Sequence, residues 1–135
     1  AVWGLSFKPN TDDIREAPSL VIIDRLLSHS AEMTVFDPEA ITRVRDVLGD
    51  RVAYAPDAYS ALEGADALVI CTEWNEFRRP DFARMSNLMS NQVILDGRNL
   101  YDPREVASFG FHYESIGRPS FEPPEGTMPD MKEDA

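Results

Sequence analysis

Short apolar runs and longer amphipathic stretches take turns along this chain, and their periods predict the elements. Ala1-Val2-Trp3-Gly4-Leu5-Ser6-Phe7 reads as a strand from its first residue, and the turn formers of residues 8–13 follow it. Pro18 suits the first turn of a helix, where its missing N–H costs nothing. Leu20, Ile23 and Leu27, with Val21, Ile22 and Leu26, give that helix a broad apolar face that leaves Asp24 and Arg25 outside. Met33-Thr34-Val35-Phe36 predicts a second strand ending in Asp37-Pro38, and Ile41, Val44 and Leu48 mark a helix stopped by Gly49. Val52-Ala53-Tyr54 reads as a third strand, and Asp57 can cap a short helix running through Leu62. The unbroken apolar run Ala67-Leu68-Val69-Ile70-Cys71 suits a strand buried on both faces. A helix over 82–88, a fifth strand over 92–95, a helical turn over 104–107 and an edge strand over 111–114 complete the pattern.

Strands alternating with helices imply a doubly wound α/β fold. The expected architecture is a Rossmann-like parallel sheet of about five to six strands in three α/β/α layers, occupying residues 1–116. Beyond it, residues 117–135 hold Pro119, Pro123, Pro124 and Pro129 among acidic residues, which predicts a mobile, Pro-rich acidic tail. A total of 135 residues suits one such domain, and a strand at the first residue reads as a piece of a longer chain.

Ligands of open α/β sheets bind beyond the carboxyl ends of the strands, where strand order reverses. The candidate residues are therefore Phe7 and Lys8 after the first strand, Asp37 after the second, Thr72-Glu73-Trp74 after the fourth and Asp96-Gly97-Arg98-Asn99 after the fifth. Cations, acids and flat rings on one rim suit a nucleotide. Lys8 can meet a phosphate or a ribose hydroxyl, or remain a solvated loop lysine. Arg98 can grip a phosphate bidentately, or pair with Asp96. Phe7 and Trp74 can stack on a base, or belong to the core. Asp37 can imitate a ribose-binding acid, although a helix cap before Pro38 is the preferred reading. Arg15 sits among Asp12, Asp13 and Glu16, which by itself favours local charge pairing.

Composition narrows the picture. Gly4 is the only glycine near the first turn, so neither G-x-G-x-x-G nor a P-loop is present. The net charge of -11 argues against a nucleic-acid partner while leaving room for a small anion met by local cations. No apolar run reaches membrane-spanning length. One cysteine and two separated histidines provide neither a disulfide framework nor a metal cluster. Cys71 lies in an apolar strand without a basic neighbour and reads as core, and His29 and His112 show no general-base pattern.

The string Phe7-Lys8-Pro9-Asn10-Thr11-Asp12-Asp13-Ile14-Arg15-Glu16 closely resembles the opening of the C-terminal domain of UDP-glucose 6-dehydrogenases, within the UDP-glucose/GDP-mannose dehydrogenase family. Phe36-Asp37-Pro38, Ala65-Asp66-Ala67, Thr72-Glu73-Trp74, Asp96-Gly97-Arg98-Asn99 and Ser115-Ile116-Gly117-Arg118-Pro119 follow in the same order. The resemblance implies the nucleotide-sugar domain of a cytoplasmic enzyme that oxidises UDP-glucose to UDP-glucuronate with two NAD+ and is a homo-oligomer at full length. It places Phe7, Lys8 and Arg98 on the UDP portion, with Glu73, Trp74 and Asp96 as further rim residues. It also turns Arg15 toward the NAD, which is bound mainly by an N-terminal domain. That domain, the central helical segment and the family's catalytic cysteine have no counterpart in this sequence. The chain alone is therefore expected to be inactive, and Cys71 does not inherit the catalytic role.

Within the family, GDP-mannose or a UDP-N-acetylhexosamine is the alternative substrate. A stand-alone binding module and a phosphorelay receiver are the alternatives outside it. The receiver reading meets an obstacle, because the fifth strand ends in Asp-Gly-Arg where a receiver needs lysine.

Overall fold

The computed structural model describes residues 1–116 together with Ser120 and Pro123. The remainder of the predicted tail, and Gly117-Arg118-Pro119 of the last motif, lie outside the described residues. Six strands, β1 (Val2–Trp3), β2 (Thr34–Phe36), β3 (Ala53–Tyr54), β4 (Leu68–Ile70), β5 (Val93–Asp96) and β6 (His112–Ser115), form one parallel sheet. Their order is β3-β2-β1-β4-β5-β6, so the winding reverses between β1 and β4. The expected doubly wound architecture is what the chain adopts.

Alternation along the strands divides the core in two. Val2 and Val35 face α1 (Pro18–Ser28) and α2 (Ile41–Leu48), where Ile23, Val44 and Leu48 cover them. Trp3, Phe36, Leu68, Ile70 and Ile94 face the other way, under α3 (Phe82–Leu88) and α4 (Pro103–Ser108). Asp81 and Asp102 start α3 and α4 by accepting the N–H groups of Arg84 and Arg104. Among the described residues no helix covers the α1 side of β4–β6. A groove of about 400 Å³ lies there, lined by Ile22, Val69, Cys71, Leu95, Arg98 and Ile116 among others.

Three differences from the sequence reading share a cause, the recruitment of backbone groups away from regular ladders. First, β1 stops at Trp3 although the apolar run continues to Phe7. Gly4 has φ +91, and its backbone passes so close to β4 that a Cβ would lie 2.6 Å from the Thr72 backbone nitrogen. The next two amides, Leu5 and Ser6, donate to the Asp37 carboxylate rather than to a neighbouring strand. Second, Asp57 accepts the Ser60 N–H, but the chain then makes only a single 3-10 turn, Ser60–Leu62, instead of an α-helix. Third, β4 leads into a 3-10 turn over Asn75–Phe77 that the sequence pattern does not predict; it drives Phe77 into the core, stacked on Trp3 at 4.9 Å.

Candidate functional site

The carboxyl ends of β1, β4 and β5 form the rim where the winding reverses. Phe7 and Lys8 leave β1 on a loop closed by the Phe7 N–H, which donates to the Asp13 carbonyl at 2.7 Å. Phe7 is 48% exposed. Lys8 is exposed as well, and none of the ion pairs among the described residues uses its ammonium.

On the far side of β4 a tight turn carries Arg98. Asp96 is buried, and one of its oxygens accepts the Arg98 backbone N–H at 2.8 Å. The other accepts the Leu100 N–H and the Tyr113 hydroxyl, both at 2.7 Å. Asp96 is thus a brace beneath the rim and does not present its carboxylate there. The Arg98 side chain pairs with Glu73 and not with Asp96, through Nε at 3.0 Å and Nη2 at 2.9 Å. Hydrogen bonding between them holds the Glu73 carboxyl below its usual range and raises the guanidinium further. A guanidinium has five N–H donors, so this geometry leaves the Nη1/Nη2 edge of Arg98 as a second fork for an anion.

Trp74 is 7% exposed, and its ring belongs to the core cluster. Of the two readings open to it, packing is the one adopted; stacking on a base falls to Phe7. Asp37 is buried with both oxygens occupied, so it receives no ribose. Nor is it the cap of α2. Its Oδ1 accepts the N–H groups of Glu39 and Ala40, a turn ahead of a helix that begins with no side-chain cap at Ala40.

Arg15 is held by Asp13, with Nη2 2.8 Å from a carboxylate oxygen, and its side chain is 87% exposed. This hydrogen bonding lowers the Asp13 carboxyl to about 2. With Asp12 and Arg43, themselves paired at 2.7 Å, Arg15 lines a polar hollow of about 450 Å³. Neither this hollow nor the groove beside Arg98 includes Phe7 or Lys8 in its lining. The structure therefore brings Phe7, Lys8, Glu73 and Arg98 to one rim and sets Arg15 in a separate recess.

Cys71 is 6% exposed, and burial pushes its thiol up to about 12, which leaves it without thiolate at neutral pH. His112, for which the sequence showed no partner, lies 2.7 Å from Glu114, two residues along the same strand. Among the described residues no group of His, Cys, Asp and Glu is arranged to hold a metal ion, and no helix is long and apolar enough to cross a membrane.

Sequence reasoning missed Tyr113 and the bracing roles of Ser6 and Thr72. A signal for Tyr113 existed: an inward tyrosine on a buried strand needs a partner for its hydroxyl, and Asp96 ends the strand next to it. Nothing comparable marked Ser6 or Thr72, because their partners are 31 and 66 residues away.

The family model for the UDP-binding domain of the UDP-glucose/GDP-mannose dehydrogenase family matches residues 1–103, well over half of the chain. The chain belongs to that family. The UDP-glucose 6-dehydrogenase of Pseudomonas aeruginosa is 48% identical over 124 residues, covering 88% of this chain and 27% of that protein. TuaD of Bacillus subtilis, a UDP-glucose 6-dehydrogenase, is 42% identical over 98% of this chain and 28% of its own length. The solved UDP-glucose dehydrogenase of Pyrobaculum islandicum superposes with a TM-score of 0.69 at 33% identity, covering 84% of this chain and 24% of that one. A UDP-D-ManNAc dehydrogenase from Pyrococcus horikoshii gives 0.70 at 32% identity, over 87% and 25%. This member of the dehydrogenase family spans about a quarter of the length of the relatives it matches.

Proposed function

We propose that this chain is the C-terminal nucleotide-sugar domain of a UDP-glucose 6-dehydrogenase. The full-length enzyme oxidises the C6 alcohol of UDP-glucose to the carboxylate with two NAD+. The observation that carries the reading is the match of the UDP-binding family model to the stretch holding Phe7, Lys8 and Arg98. Lys8 after β1 and Arg98 after β5 flank the end of β4, two strand spacings apart or about 10 Å, a span that suits a diphosphate and its ribose. Lys8 acts as a point charge. Arg98 offers its outer fork while Glu73 holds the inner one. Phe7 supplies an exposed ring for the base.

NAD supplies hydride acceptance in the complete enzyme. This chain fits it only as a peripheral contact: it has no glycine-rich cradle, and the exposed Arg15 guanidinium is its one proposed approach. The residues present here bind and orient the nucleotide and carry no bond-making step.

Calorimetry on the full-length enzyme tests the reading. UDP should bind more tightly than GDP or UMP, and Lys8→Ala and Arg98→Ala should each weaken UDP roughly tenfold to a hundredfold, the loss of one charged hydrogen bond of about 1.5–3 kcal/mol. A preference for GDP, or unchanged affinity in both variants, overturns it. The likeness to a UDP-D-ManNAc dehydrogenase supports a second reading of the sugar. Turnover of UDP-glucose against UDP-N-acetylmannosamine decides between the two.

A further inference from the structure

Asp37 is a buried carboxylate, 2% exposed, that the proposed binding chemistry does not use. It stands where β1, β2 and β4 end together. Its Oδ2 accepts the backbone N–H of Leu5 at 2.7 Å and of Ser6 at 3.1 Å, and the Trp74 Nε1–H at 3.1 Å. Its Oδ1 takes the Glu39 and Ala40 amides, both at 2.8 Å. The Ser6 hydroxyl lies 3.2 Å from Oδ2 but only 2.9 Å from the Lys8 carbonyl. Its single proton is therefore directed to Lys8. The Trp74 Nε1–H, 3.2 Å from the Ser6 oxygen, is shared between Ser6 and Asp37.

Ser6 is consequently held at every polar atom. Its N–H goes to Asp37, its carbonyl accepts the Thr72 hydroxyl at 2.7 Å, and its own hydroxyl reaches forward to Lys8. From this arrangement we propose that Asp37 is a positioning residue for the nucleotide. Through Ser6 its carboxylate sets where Phe7 and Lys8 leave the sheet. The inference deepens the reading of Lys8 given above and rests on it. Five N–H donors converge on the two oxygens, so the side chain must be an acceptor on both sides. An amide of identical shape cannot replace it, because its NH2 would face donors on whichever side it took.

Double-mutant cycles in the full-length enzyme separate positioning from mere folding. Asp37→Asn should raise the KM for UDP-glucose about tenfold with kcat within about twofold of the parent. Added to Lys8→Ala it should change KM by less than about twofold, because the group it orients is gone. Added to Arg98→Ala it should show its whole tenfold effect, because Arg98 is braced by Asp96 and Glu73 instead. Should Asp37→Asn fail to fold, Trp74→Phe keeps the ring and removes one donor. It should raise KM about threefold, with the same dependence on Lys8. Equal effects in both backgrounds, or a fall in kcat at constant KM, would overturn the proposal. If Lys8→Ala alone leaves KM unaltered, the nucleotide reading itself fails and this inference fails with it.

Discussion

The exits of β1 and β5 both project a cation from the end of a buried strand, yet they are built in opposite ways. The β5 exit is local. Asp96, Arg98, Asn99 and Leu100 are near neighbours, and Asp96 ties its own turn by accepting the amides two and four residues ahead. The β1 exit is not. Its backbone is held by Asp37 from β2 and by Thr72 and Trp74 from beyond β4, groups 31 to 68 residues away. Only in the folded sheet do those groups meet. A self-tied turn tolerates change in its surroundings, whereas an exit assembled from three strands depends on each of them.

The two glycines give the largest test of that contrast. Gly4→Ala forces a Cβ into the β4 backbone at 2.6 Å, with φ at +91, and should cost about 3 kcal/mol in denaturant unfolding. Gly97→Ala meets only the Ile70 carbonyl at 3.0 Å without a positive φ, and should cost about 1 kcal/mol. Equal losses would erase the distinction between the exits.

Tyr113→Phe comes next. It removes a buried hydroxyl from the Asp96 carboxylate while keeping the ring, and should cost about 2 kcal/mol by the same measurement. Because the β5 exit does not lean on β1, UDP affinity measured with Arg98→Ala already in place should be unaffected by Tyr113→Phe. A further loss there would mean that the two exits are coupled.

The smallest effect is electrostatic. Arg15 holds the Asp13 carboxyl at about 2 against an ordinary 3.8. The contribution of that depressed group is complete above pH 3.8 and lost as the pH falls toward 2. Arg15→Ala should leave the melting temperature near neutrality unmoved, since the pair is exposed, and should flatten part of the acid decline between those two values. A clear destabilisation at neutral pH would show that the β1 loop relies on this pair, contrary to its anchoring by Asp37.

Much of the architecture was readable in the order of residues. The apolar run through β4, the amphipathic period of α1 and α2, and the acids that start α3 and α4 act over a few residues, and each led to an element at that place. The Asp-Gly-Arg-Asn turn was equally legible, because an aspartate bonding amides two and four positions ahead is a local event. The family relationship could also be read there, since the string from Phe7 to Glu16 is long enough to be specific.

What only the tertiary structure decided are the partners of charged and polar groups far apart in the chain. Arg98 faces Glu73, 25 residues away, instead of the aspartate beside it, because β4 and β5 are neighbours and their ends share one rim. Asp37 and Asp96 resembled rim acids by position but are buried braces, because each lies among amides that have no ladder partner and must be satisfied. Local propensity sets which segments become strands and helices. Which buried donors converge on which carboxylate depends on strand order and register, and these are properties of the assembled sheet.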